Sequence, residues 1–301
     1  MRHLLCLADL SGDEIWHILR QAHEFKAGGH RAVLAGKSLA MIFEKPSLRT
    51  RVSFEMAMVQ LGGHAIYLSP AEIGLGTREN VADVARVLSQ YVDGIEARVF
   101  SYRVVEELAR YASVPVINGL SDFNHPCQAL GDVMTLWEKK GEVKGQTIAF
   151  VGDGNNVANS LMFIGGILGI HVTVASPTGY EPHPAAVLLS RHLARQSGAQ
   201  ITITNDPVQA VASADVVYTD VWASMGQEAE AQQRQEHFQG FQVNAALMAH
   251  ARPDVLFMHC LPAHRGEEVT NEVIESPNSV VFEQAANRLH AQKAVLAILM
   301  G

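Results

Sequence analysis

Long apolar runs are missing from this sequence. No stretch of about 18 residues is hydrophobic enough to cross a bilayer, so no membrane role is expected. The N-terminus Met1-Arg2-His3-Leu4-Leu5-Cys6-Leu7-Ala8-Asp9 reaches an acidic residue too early for a secretory core, and a cytoplasmic location is expected. Cysteine is scarce: Cys6, Cys127 and Cys260 are 3 in 301 residues, too few for a disulfide framework, so reduced thiols are expected. Positive charge is in deficit, with Lys+Arg 23 against Asp+Glu 31. The net charge of -8 has no basic block to offset it, which argues against nucleic acid as a partner and requires any anionic ligand to be held by a local site. The 14 histidines are scattered singly, where a solvated or packed ring is commoner than a ligand, so no metal and no cofactor is assigned. Low-complexity linkers and solenoid-length repeats are absent too.

What is present is 48% hydrophobic content over a length suited to two domains of ordinary size. Ser11-Gly12-Asp13-Glu14 reads as a capping box ahead of Ile15, Ile18, Leu19, Ala22 and Phe25, one helix face. Strand-like segments follow at 38–43, 64–68, 95–100 and 114–118, alternating with helical patterns after Thr50, at 81–90 and at 104–111. A second series of apolar segments, at 147–151, 171–175, 201–204, 216–219, 255–259 and 280–282, alternates with helices in the same way. The expected fold is α/β: two doubly wound domains, each a mainly parallel sheet flanked by helices. Long helices at 127–140 and 285–300 are expected to join them. Ligands of such folds collect at the carboxyl ends of the strands, and a cleft between the two sheets is the expected site.

The most informative run is Phe43-Glu44-Lys45-Pro46-Ser47-Leu48-Arg49-Thr50-Arg51-Val52-Ser53-Phe54-Glu55. Pro46 breaks an apolar strand, and a helix follows with Val52, Met56, Val59 and Gln60 at helical spacing. Free backbone N–H groups at a helix start, the hydroxyls of Ser47 and Thr50 and the guanidiniums of Arg49 and Arg51 together make an anion socket. The bland reading is a capped helix whose arginines face water. Asn124-His125-Pro126-Cys127-Gln128 opens another helix, and a neutral imidazole with an amide there can polarise a carbonyl oxygen. His125 as a mere cap and Gln128 as a surface amide is the competing reading.

Val151-Gly152-Asp153-Gly154-Asn155-Asn156-Val157 resembles a dinucleotide turn, but Val157 stands at the third glycine position and Ala175-Ser176-Pro177 offers no acid for a ribose. Asn155 and Asn156 suit a small polar molecule instead, or the turn serves packing alone. Asp220, in Tyr218-Thr219-Asp220-Val221-Trp222-Ala223-Ser224-Met225-Gly226-Gln227-Glu228, suits a substrate ammonium, with a loop at 224–227 able to hinge at Gly226; a surface carboxylate beside a turn is the alternative. In Met258-His259-Cys260-Leu261-Pro262-Ala263-His264, strand alternation turns His259 away from Cys260 and leaves the thiol as a polar wall rather than a nucleophile or a zinc ligand paired with His264. Arg98 and Arg288 read singly as surface arginines able to reach a cleft.

In this order and at these separations, Ser47-Leu48-Arg49-Thr50, His125-Pro126-Cys127-Gln128, the Asp220 to Gly226 segment, His259-Cys260-Leu261-Pro262 and Asn287-Arg288 resemble the aspartate/ornithine carbamoyltransferase family over nearly the whole chain. The Ser224-Met225-Gly226 loop and the Cys260 motif point within it to ornithine. The resemblance implies a carbamoyl-phosphate domain, 1–138 plus 287–301, and an ornithine domain, 139–286. It implies that carbamoyl phosphate is held by Ser47, Leu48, Arg49, Thr50, Arg98, His125, Gln128, Cys260, Leu261 and Arg288. Ornithine is held by Asn156, Asp220, Ser224 and Met225, and the catalytic set is Arg49, Thr50, Arg98, His125, Asp220 and Cys260. A homotrimer or a multiple of trimers is implied as well. One departure is Gly74, where many members carry a glutamine that reaches carbamoyl phosphate across a subunit boundary. The implied activity is transfer of the carbamoyl group to the δ-amine of L-ornithine, giving L-citrulline and phosphate. Rival readings are another acceptor amine (N-acylated ornithine, putrescine or aspartate), a nicotinamide oxidoreductase and a non-enzymatic anion-binding regulator.

Overall fold

In the computed structural model, residues 2–301 are described apart from 30, 31, 225 and 227. The chain divides into two units, Met1–Met134 with Ala286–Gly301, and Thr135–Ala285. In the first, β1 (Ser38–Phe43), β2 (His64–Leu68), β3 (Gly94–Arg98) and β4 (Val116–Leu120) form an all-parallel sheet in the order β2-β1-β3-β4. β1 is apolar after Ser38 because both of its faces are covered, and Ala40, Ile42, Ile95 and Ala97 pack with Val84, Ala85, Val105 and Leu108 of the helices Val81–Tyr91 and Tyr102–Tyr111. The chain winds away in opposite directions from β1 and β3, so the switch point lies between their carboxyl ends, Phe43 and Arg98. There Glu44 N–H donates to Arg98 O at 2.9 Å.

In the second unit, β5 (Thr147–Val151), β6 (His171–Ala175), β7 (Ile201–Thr204), β8 (Val216–Thr219) and β9 (Leu256–His259) are again all parallel, in the order β7-β6-β5-β8-β9. The switch falls between β5 and β8, ahead of Gly152 and Asp220. The helix Asn156–Leu168 is buried on nearly every side, which explains its apolar sequence. Two continuous helices, Pro126–Lys140 and Val281–Met300, carry the chain across the boundary between units.

Four expectations are corrected. The segment 280–282 is not a strand; Val281 begins the last helix, and the apolar run there is too short for its period to separate helix from strand. The strand expected over 114–118 lies at Val116–Leu120, and that over 95–100 stops at Arg98. In the helix Leu48–Gln60 the buried residues are Thr50, Phe54, Ala57 and Met58, whereas Val52, Met56 and Val59 are exposed. The apolar stripe legible in the sequence is therefore not the face packed on the sheet.

Candidate active site

In the first unit the side chains expected to act lie at or after the ends of β1, β3 and β4 and on the helix Val281–Met300. Ser47 is the N-cap of the helix Leu48–Gln60, and its hydroxyl oxygen accepts from Thr50 N–H at 3.2 Å. That N–H is thus committed to the cap, a correction to the idea of a fully free helix start, while Leu48 and Arg49 precede the first intrahelical bond. Thr50 is fully buried, and Arg288 Nη2, from the helix Val281–Met300, donates to Thr50 Oγ1 at 2.9 Å. Arg98 ends β3, and both Arg98 and Arg288 are buried. His125, which precedes Pro126, is buried too, and burial holds its imidazole well below the ordinary histidine range, helped by the charges of Arg288, Arg98 and Arg49. The structure thereby places Arg49, Thr50, Arg98, His125 and Arg288 together, with His125 neutral.

Gln128 is buried, but its amide donates to Asp132 Oδ1 at 2.8 Å, one turn along its helix. The surface reading of Gln128 does not hold, whereas His125 does stand at the cap position, its carbonyl accepting from Ala129 N–H at 3.3 Å; the loop before the helix is tied by Asn118, Ser121 and Asn124, with Asn124 N–H donating to Ser121 Oγ at 3.3 Å. Cys127 is buried and inert, its thiol pushed up to about 12 by desolvation.

In the second unit Asp220 leaves the end of β8 and is buried. Its Oδ1 accepts from Cys260 Sγ at 2.9 Å and from Val221 N–H at 2.8 Å, and its Oδ2 accepts from Asn155 Nδ2 at 2.7 Å. Asn155 is also the N-cap of the helix that Asn156 begins. The carboxylate is thus held rigidly by donors from three strand ends. His259 does not turn its ring away from Cys260 as alternation suggested: possible ligand atoms of Asp220, His259 and Cys260 lie within 4.8 Å of one another. The strand stops at His259, so its alternation does not extend to Cys260. The ring is nonetheless committed, with Nδ1 accepting from Leu261 N–H at 2.8 Å and Nε2 facing Glu268 Oε1 at 3.1 Å. His264 groups with Glu267 and Glu268 rather than with Cys260. Leu261 sits at φ 58, a left-handed conformation costly for a branched side chain and concentrated at functional turns. Ser224 is half-buried, and Met225 lies outside the described residues.

Matches to known proteins divide the chain near the same place, except that residues 286–299 of the second match belong to the first unit. Residues 2–138 match the carbamoyl-P binding domain of aspartate/ornithine carbamoyltransferase, and residues 144–299 match its Asp/Orn binding domain. The chain belongs to the aspartate/ornithine carbamoyltransferase family. A relative named anabolic ornithine carbamoyltransferase, from Pyrococcus furiosus, is 61% identical over 100% of this chain and 96% of its own length. The ornithine carbamoyltransferase of Pyrococcus abyssi is 60% identical with the same coverage. The solved ornithine carbamoyltransferase of Pyrococcus furiosus superposes with a TM-score of 0.97, covering 100% of this chain and 97% of that one.

Several residues of this carbamoyltransferase escaped the sequence reading. Glu96 stands fully buried in the middle of β3; a carboxylate inside an otherwise apolar strand was the available signal. Asp153 pairs with Arg234 at 3.1 Å, and burial pushes its carboxyl up to about 6 despite that guanidinium, with Asp220 adding to the rise. Arg234 lies 81 positions along the chain, and nothing local announces the pair. Asn155 was noted for a ligand, whereas it positions Asp220.

Proposed function

We propose that the protein transfers the carbamoyl group of carbamoyl phosphate to the δ-amine of L-ornithine, giving L-citrulline and phosphate, in the direction of arginine biosynthesis. The observation that carries this is the buried set of Arg98, His125, Arg288 and Thr50 beside Arg49 in the unit matched to carbamoyl-phosphate binding. In a net-acidic protein, two guanidiniums buried beside a neutral imidazole suit the capture of an anionic ligand.

Phosphate is a good leaving group, so the protein orients two reactants and stabilises charge rather than forming a covalent intermediate. Ser47, Leu48 and Arg49 bind the phosphoryl oxygens through hydroxyl, backbone N–H and guanidinium. Thr50, Arg98 and His125 donate to the carbonyl oxygen as it becomes an oxyanion. A neutral imidazole suits this role, because its one N–H is oriented without an added positive charge. Gln128 and Arg288 support the same ligand, and the family resemblance adds Cys260 and Leu261 to the residues that hold it. Each charge-assisted bond is worth about 1.5–3 kcal/mol, so a few outweigh the field of the whole acidic chain.

Ornithine is held by Asn156, Asp220, Ser224 and Met225. Its δ-amine must lose a proton to attack, since a free alkylamine is mostly protonated near neutral pH. The rigid Asp220 carboxylate and the Cys260 thiol orient the nitrogen, and the departing phosphate takes the proton. An acidic residue at the acceptor position suits an amine and disfavours the dicarboxylate aspartate.

The first unit acts as the carbamoyl-phosphate domain and the second as the ornithine domain. The enzyme works in the cytoplasm as a homotrimer or a multiple of trimers, as the family resemblance implies, and the exposed stripe Leu48, Val52, Met56 and Val59 supports self-association. A colorimetric ureido assay with purified protein, carbamoyl phosphate and a panel of L-ornithine, N-acetylornithine, putrescine and aspartate tests the reading. Citrulline is expected from ornithine with the other amines far slower; no ureido product from ornithine would refute it.

A further inference from the structure

Glu96 is a buried acid of the first unit to which the chemistry above gives no work. Its side chain is fully buried, and neither carboxylate oxygen has a hydrogen-bond partner among the described residues. Such an acid is costly in either form, by desolvation when ionised and by an unmet donor when protonated.

The local fold is shaped around it. The pairing of β3 with β4 shifts register between Ala97 and Arg98, so that Ala97 faces Asn118 and Arg98 faces Leu120, leaving Gly119 as the extra residue. A Cβ built on Gly119 would overlap Glu96 Oε1, so glycine is what admits the carboxyl. Met41 of β1 and Ile117 of β4 lie in register beside Glu96. The charged and titratable groups that act on it come from three elements. Arg98 is two residues along its own strand and on the same face, Arg288 is on the helix Val281–Met300, and Cys127 is on the helix Pro126–Lys140. The same two arginines act on His125.

We propose that Glu96 is a proton-linked counterion of the anion socket, ionising to balance Arg98 and Arg288 when the socket is empty and taking up a proton when a phosphate dianion binds. The inference deepens the proposed carbamoyl-phosphate site and rests on it. The balance is simple: a dianion arrives, one proton from solvent forms an O–H bond at Glu96, and the two guanidiniums exchange an internal anion for an external one. Burial already raises this carboxyl well above the ordinary range against the pull of both arginines. A dianion engaging the same arginines raises it further. Linkage then requires that rising pH, by favouring ionised Glu96, weakens phosphate binding by up to tenfold per pH unit in the window between the free and bound values. Glu96 is in this sense a positioning residue, acting on the substrate through the arginines.

The test is calorimetric titration of inorganic phosphate into the full-length protein above about pH 8, where phosphate is already a dianion, in buffers of different ionisation enthalpy. Wild type should take up close to one proton per site, with affinity falling as pH rises. Glu96→Gln should lose that uptake, bind with a flat pH profile, and exceed wild type in affinity at the alkaline end, an outcome that a purely structural role would not produce. Glu96→Met, uncharged and of similar length, should behave alike if the glutamine variant fails to fold. His125 is the other group a dianion could protonate, so uptake that persists unchanged in the variants belongs to it and overturns the proposal. Wild-type binding without proton uptake overturns it as well, with citrulline formation unaffected. No phosphate binding at all would remove the socket and this inference together.

Discussion

Thr50 shows how much one hydroxyl can organise. It is fully buried in the first turn of its helix and supplies the oxygen to which Arg288, 238 positions away, donates. Thr50→Val keeps the shape and removes the acceptor, leaving one buried guanidinium N–H unmet at a cost of about 1–3 kcal/mol. Steady-state kinetics should show KM for carbamoyl phosphate raised about ten- to a hundredfold, with KM for ornithine little changed. At this scale Arg49, Thr50, His125 and Asp220 were all named from motifs that also had structural readings, and the structure buries Thr50, His125 and Asp220. Gln128 was named without its partner Asp132, and Asn155 without its bond to Asp220, because a hydrogen bond is a relation that one residue does not disclose.

Elements were the most legible level, and their faces the least. β1, β2, β5, β6, β7 and β8 stand where their apolar runs placed them, and for β1, β5 and β8 the reason is burial on both faces, which leaves few other sequences open. The helix Leu48–Gln60 was found, but its exposed stripe was mistaken for its packed face. That stripe, with Val52 48% and Val59 55% exposed, is the expected self-contact surface. Val52→Glu should lower the mass measured by sedimentation velocity without unfolding the chain. The short helix Pro70–Ile73 ends on Gly74 at φ 58, where an added Cβ would stand 2.8 Å from Arg78 Cβ. Gly74→Ala should therefore cost about 1–2 kcal/mol in chemical denaturation.

For the whole molecule, pH links stability to a pair that no motif reveals. Burial pushes Asp153 up to about 6 from 3.8, so the folded chain favours its protonated form. That contribution is complete below about pH 3.8 and is lost as pH rises through about 6. Asp153→Asn is uncharged throughout. Urea titrations at a series of pH values should show the variant gaining on wild type by up to about 3 kcal/mol from pH 4 to pH 7. An identical slope for both proteins would contradict the assignment. Among the described residues no helix is long and apolar enough to cross a membrane, in keeping with the lack of long apolar runs.

The sequence by itself determined the α/β class, the alternation of strand and helix, and the chemical types gathered at the strand ends, because hydrophobic periodicity and motif chemistry are local properties of the chain. Tertiary structure decided which side chains meet. It bonded Arg288 to Thr50, tied Asp220 to Cys260 and Asn155, and buried Glu96 against Gly119 in the field of Arg98 and Arg288. Those pairings depend on strand order and on a register shift, which bring together residues far apart in the chain and which no local pattern encodes.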